Sequence, residues 1–143
     1  MENLFSRRHR LTTSLTDAAV QFQQMYTTQL LDYFEHPRNP GEVQSPDAVA
    51  ELENPVCGDV LRLSLKIDRK HISEIRFKAK GCVPSMACGS AVTDLVRGKT
   101  LEQARALRRE DLIATVGALP DASTHAAQLA LDTLAAALLQ IQG

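Results

Sequence analysis

The chain has 143 residues, of which 44% are hydrophobic, and its 16 basic and 17 acidic residues leave a formal net charge of −1. That length suits one ordinary domain, and the balanced charge argues against nucleic-acid binding as a bulk property. No apolar run is long enough to cross a bilayer. The N-terminus shows no apolar segment of the secretory-signal type, and three cysteines, an odd number, argue against a disulfide framework. A cytoplasmic protein with reduced thiols is the expectation, and with aromatics at 4% and no Trp its core must be aliphatic.

Residues 1–24 read as a flexible N-terminal extension. They carry a basic cluster, Arg7-Arg8-His9-Arg10, and a Ser/Thr stretch from Thr12 to Thr16. Such a cluster suits either a solvated terminus or contact with an anionic surface. The domain proper is expected over residues 25–143. Leu30, Leu31 and Phe34 stand at helical spacing and predict a helix from Tyr26 to Phe34. His36-Pro37-Arg38-Asn39-Pro40-Gly41 ends it, because two prolines and a glycine force an extended, turning connection.

Val49 to Glu53 reads as a short strand. Next comes Asn54-Pro55-Val56-Cys57-Gly58-Asp59, which sets a thiol and a carboxylate on either side of a glycine. Gly58 permits a tight turn, so Cys57 and Asp59 can converge on one point. Such a pair suits a thiophilic metal or cluster, although the same six residues also suit a turn before a strand with an inert cysteine. Leu61, Leu63, Leu65 and Ile67 then alternate with Val60, Arg62, Ser64 and Lys66, the pattern of a strand with one buried face. Asp68-Arg69-Lys70-His71 is a polar hairpin connection. Ile72, Ile75, Phe77 and Ala79 mark a third strand ending at Gly81.

From Cys82 onward the pattern is helical. Pro84 fits a first turn, and Gly98 fits a C-terminal stop. Thr100 with Gln103 makes a capping box for the next helix. Leu112, Ile113 and Val116 make another, stopped by Gly117 and Pro120. Ala127, Leu131, Leu134, Leu138 and Ile141 form the apolar stripe of a last helix spanning Asp121 to Gln142. Strands followed by helices, without alternation, predict an α+β fold: a three-stranded antiparallel sheet with helices packed on one face.

In that fold Cys57, before the second strand, and Cys82, after the third, meet at one end of the sheet. Cys82 also stands at a helix N-terminus, which favours a thiolate. His125, near the start of the last helix, points roughly opposite the leucine stripe. It is either solvent-exposed or part of a surface site. Cys88, among Ala87, Gly89 and Ser90, reads as a packed structural thiol.

These motifs together resemble a family. Asn54 to Asp59, Lys80-Gly81-Cys82, Thr93 to Lys99 and His36-Pro37-Arg38-Asn39 look like the iron–sulfur cluster scaffolds IscU, SufU and the N-terminal domain of NifU. The resemblance covers Met25 to Gln142. It implies a non-enzymatic scaffold, with no catalytic residues, that holds iron or a nascent [2Fe–2S] cluster, or zinc in the isolated protein. It also implies two kinds of partner, a cysteine desulfurase and cluster acceptor proteins. Carried over by position, the family's ligands fall on Cys57, Asp59 and Cys82, and its histidine before the third cysteine falls on His125. The third cysteine position is then Ala126, so this chain departs from the family there; that position is expected to face the site rather than the Leu134 stripe. The family's chaperone-recognition motif is replaced by Leu119-Pro120-Asp121-Ala122-Ser123, which puts that partner in question. With Cys57, Asp59, Cys82 and His125 the chain keeps two sulfurs, a carboxylate and an imidazole. The set is adequate for tetrahedral zinc or ferrous iron and less natural for a cluster, although histidine replaces cysteine on one iron of Rieske centres. The alternative is a divergent zinc- or iron-binding sulfur acceptor or interaction partner of a desulfurase that does not itself build clusters.

Overall fold

The computed structural model describes residues 25–141, so the extension expected over residues 1–24 lies outside the described residues. Among the described residues nine elements follow in order: α1 (Thr28–Glu35), β1 (Ala48–Glu53), β2 (Val60–Asp68), β3 (His71–Lys80), α2 (Val83–Val96), α3 (Leu101–Arg105), α4 (Arg109–Val116), a 3-10 turn (Asp121–Ser123) and α5 (Thr124–Leu138). The strands form one antiparallel sheet in the order β1-β2-β3. This is the α+β architecture expected from the sequence.

The sheet's core face carries Leu61, Leu63, Leu65, Ile72, Ile75 and Phe77, all at most 5% exposed. Ile72 and Ile75 are three residues apart, an odd interval that would put them on opposite faces of a regular strand. The register resolves this. Lys66 pairs with Glu74 but Ile67 pairs with Ile72, so Ser73 is the extra residue of a bulge. The hairpin itself turns through Arg69 and Lys70, both with positive φ. Two positive φ values in succession match the twist of the flanking strands, though Arg and Lys are less suited to them than Gly or Asn.

Helix α2 lies against this face. Ten of its fourteen residues are buried, Cys88 at 0% among them. Gly89 makes the close approach possible: a Cβ there would fall 2.9 Å from Leu61 Cδ1 and 3.0 Å from Phe77 Cδ2. Helix α5 packs beside α2 over β1 and β2. It ends at Leu138 rather than Gln142. Past that point the Gln140 side chain turns to the outer edge of β1. Its Oε1 accepts from Val49 N–H at 3.2 Å, and its Nε2 donates to Val49 O at 2.5 Å.

Helix α1 starts at Thr28, two residues later than expected, because Thr27 caps it and accepts from Leu30 N–H at 3.0 Å. The same hydroxyl donates to Val116 O, which ties α1 to the end of α4. The segment after α1 is strapped to α2: Arg38 N–H donates to Ser90 Oγ at 2.8 Å, and Thr93 Oγ1 donates to Arg38 O at 3.1 Å. It then covers the free edge of β3, where Asn39 O and Gly41 N–H bond Phe77. From there it crosses the far face of the sheet. That is why Ser64, on the polar side of β2, is only 2% exposed: its Oγ accepts from Val43 N–H at 2.9 Å. The result leaves one end of the sheet, at Val60 and Lys80, to present the cysteine-bearing loops.

Candidate metal centre

The loop before β2 is built by its first residue. Asn54 Oδ1 accepts from Val56 N–H at 2.9 Å and Cys57 N–H at 3.4 Å, while Asn54 O accepts from Gly58 N–H at 2.7 Å. Gly58 has φ +76, a conformation that disfavours a side chain. The closed turn lifts Cys57 into solvent and drops Asp59 to 4% exposure.

Asp59 is the hub. Its Oδ1 accepts from Cys82 N–H at 3.2 Å. Its Oδ2 accepts from Ser85 Oγ at 2.6 Å and Cys82 Sγ at 3.0 Å, and lies 3.3 Å from His125 Nε2. Gly81 makes room for this seat. A Cβ there would fall 2.1 Å from Asp59 Oδ1, and its φ of +142 is itself hostile to a side chain. Burial pushes the Asp59 carboxyl up, but the bonds from Ser85, Cys82 and Cys57 outweigh it and lower its pKa to about 2. The carboxylate is therefore ionised throughout the physiological range.

Cys57, Asp59 and His125 each place one ligating atom within 4.8 Å of the others. Around a tetrahedral ion with bonds of about 2.0–2.3 Å, ligand atoms lie roughly 3.3–3.8 Å apart. Small side-chain rotations would close this trio on one ion. Sulfur, carboxylate oxygen and imidazole nitrogen are together a donor set for zinc or ferrous iron. Cys82, the fourth expected ligand, lies outside this mutually close group and touches it through Asp59, with Sγ 3.0 Å from Oδ2. His125 is thus neither a core residue nor simply exposed: its side chain is 30% exposed and turned to the carboxylate.

Two expectations change. Cys82 does cap α2, but its thiol pKa is raised rather than lowered, because burial and the adjoining Asp59 carboxylate together outweigh the bonds from Ser85. Ala126, expected to face the site away from the Leu134 stripe, is 1% exposed and belongs to the same buried cluster as Leu134. Ser85 was not among the residues singled out, yet it makes the shortest bond to Asp59. The available signal was a serine three residues after a helix-capping cysteine. Cys88 is the packed thiol expected, and burial pushes its pKa up to about 12.

Comparison with known proteins shows the family. The family described as NifU-like N terminal domain matches residues 25–143. Iron-sulfur cluster assembly scaffold protein IscU 1 of Archaeoglobus fulgidus is 35% identical over 115 residues, covering 80% of this chain and 75% of that protein. The IscU scaffold of Escherichia coli K12 is 37% identical over 117 residues, covering 79% of this chain and 91% of its own. In structure, a SufU-type protein from Fervidobacterium islandicum superposes with a TM-score of 0.67 over 81% of this chain and 98% of its own; at 21% identity it speaks to the fold alone. The family matches the whole of the described chain, and relatives above 30% identity cover about four fifths of it, so this chain belongs to the NifU-like N-terminal domain family.

Proposed function

We propose that this chain is a scaffold for iron–sulfur cluster assembly: it receives iron and sulfur, holds the nascent [2Fe–2S] unit and passes it to acceptor proteins. The observation that carries the reading is the convergence of Cys57, Asp59 and His125, with Cys82 on the same carboxylate, at the open end of the sheet. Relatives above 30% identity are named as such scaffolds. The working residues are ligands, and none is assigned a catalytic role. Cys57 is exposed and meets incoming metal first. Asp59 arrives already charged. His125 and Cys82 complete the shell. An oxygen and a nitrogen among the ligands keep the cargo labile, which suits hand-over to an acceptor. A cysteine desulfurase is the fitting sulfur source, and the cytoplasm the fitting compartment. Among the described residues no helix is long and apolar enough to cross a membrane.

A second reading has its own support. Ala126 stands where the family's third thiol is expected, so the centre offers two sulfurs rather than three. A protein so equipped could hold a single zinc or iron ion and serve a desulfurase as partner or sulfur acceptor without building clusters. Anaerobic reconstitution with ferrous iron, sulfide and a desulfurase separates the two. The scaffold reading expects visible absorption of a [2Fe–2S] centre with two irons and two sulfides per cluster, and its loss in Cys57→Ala and Cys82→Ala. One metal per chain and no labile sulfide would favour the second reading.

A further inference from the structure

We propose that Ser85 is a positioning residue of this centre: its hydroxyl holds Asp59 Oδ2 and Cys82 Sγ at the mutual spacing that lets both face one ion. The inference rests on reading the site as metal-binding. Asp59 Oδ2 has as neighbours Ser85 Oγ at 2.6 Å, Cys82 Sγ at 3.0 Å and His125 Nε2 at 3.3 Å, and the Cys57 thiol also bonds this carboxylate. A carboxylate oxygen has two lone pairs, so three neighbours share two acceptor positions. Two of the three are themselves metal-ligating atoms, and an arriving ion turns both toward itself. Ser85 is the neighbour that stays. It is buried, at 2% exposure. Its bond occupies one lone pair of Oδ2 and leaves the other for the ion.

The remaining contacts narrow the geometry further. Oδ1 is held by the Cys82 amide at 3.2 Å, which fixes the carboxylate with Oδ2 toward Cys82 Sγ and His125 Nε2. Ser85 Oγ also lies 3.3 Å from Cys82 Sγ, so one hydroxyl touches both groups. It stands in the first turn of α2, next to Pro84, whose ring fixes φ. A rigid turn thus carries both Cys82 and the group that orients its neighbour. Groups that orient metal ligands in this way are typically worth roughly 10–100-fold in metal affinity.

The test is cobalt(II) titration of the metal-free full chain, read by the thiolate-to-cobalt charge-transfer band and the ligand-field bands. The parent is expected to bind one cobalt with a thiolate band. Ser85→Ala should bind roughly 10–100-fold more weakly, with less thiolate absorption per bound ion because Cys82 is no longer held in place. Ser85→Thr keeps the hydroxyl and should recover both. In an Asp59→Ala background, Ser85→Ala should cost less than it does in the parent, since only its contact with Cys82 remains to be lost. Parent-like affinity and spectrum in a folded Ser85→Ala would overturn the proposal, as would equal losses with and without Asp59. Should Ser85→Ala fail to fold, Ser85→Thr decides: a folded variant with a tenfold loss despite its hydroxyl overturns it. A parent that binds no cobalt would instead sink the reading of the site as a metal centre.

Discussion

Asp59 concentrates the electrostatics of this molecule in one carboxylate. Its folded pKa of about 2 lies below the ordinary 3.8, so its bonds stabilise the fold fully above the unfolded value. That stability is lost as pH falls from about 4 through about 2. By linkage the depression is worth about 2 kcal/mol. Urea unfolding of the metal-free chain should therefore show the parent losing about 2 kcal/mol relative to Asp59→Asn over that interval. A gap between the two that does not change with pH would mean the charged carboxylate is not what these donors hold. Cys57, Asp59 and Cys82 were legible in the sequence because glycines flank them at the ends of alternating runs. Ser85 was not legible. A serine in a first helical turn is ordinary, and only the fold reveals which carboxylate it meets. The raised Cys82 pKa was hidden for the same reason: the helix end is visible in sequence, whereas the carboxylate 3.0 Å away belongs to the loop before β2.

Among the elements, α2 does most to place the centre, since its N-terminus carries Cys82 and Ser85 while its middle rests on the sheet. Gly89 sets that distance. Gly89→Val would drive a branched side chain into Leu61 and Phe77, and overpacking of this kind costs about 1–3 kcal/mol. Thermal unfolding should register the loss. Cobalt bound by the variant should also show weaker thiolate absorption, because lifting α2 moves Cys82 from Asp59. A melt and spectrum like the parent's would show that the helix yields without cost. The elements themselves were readable from period and punctuation, as with the Thr100/Gln103 capping box, which forms as expected. The end of α5 was not readable. The apolar pattern runs on to Ile141, but the chain leaves the helix at Leu139, 87% exposed, so that Gln140 can close the β1 edge. A long-range bond of this sort leaves no periodic trace.

For the molecule as a whole, the open question is how many thiols serve the cargo. The chain has three cysteines, and Cys88 is excluded by its surroundings: it is fully buried and its thiol is pushed up to about 12. A [2Fe–2S] unit is ordinarily held by four thiolates, whereas the ligand set proposed here offers two with a carboxylate and an imidazole. A shortened cluster lifetime follows. Ala126→Cys tests the deficit. The position adjoins His125 in sequence but is 1% exposed, so the added sulfur enters packed surroundings, and a cost of about 1–2 kcal/mol is expected from crowding. If the new sulfur reaches the centre, reconstituted clusters should persist longer and His125→Ala should weaken metal binding less than it does in the parent. Both follow because a third thiolate takes over from the imidazole. Cluster decay under identical anaerobic conditions and cobalt affinity with and without His125 measure the two effects. A variant that melts lower yet changes neither would place the sulfur in the core and leave the two-thiol centre as the working state of this protein.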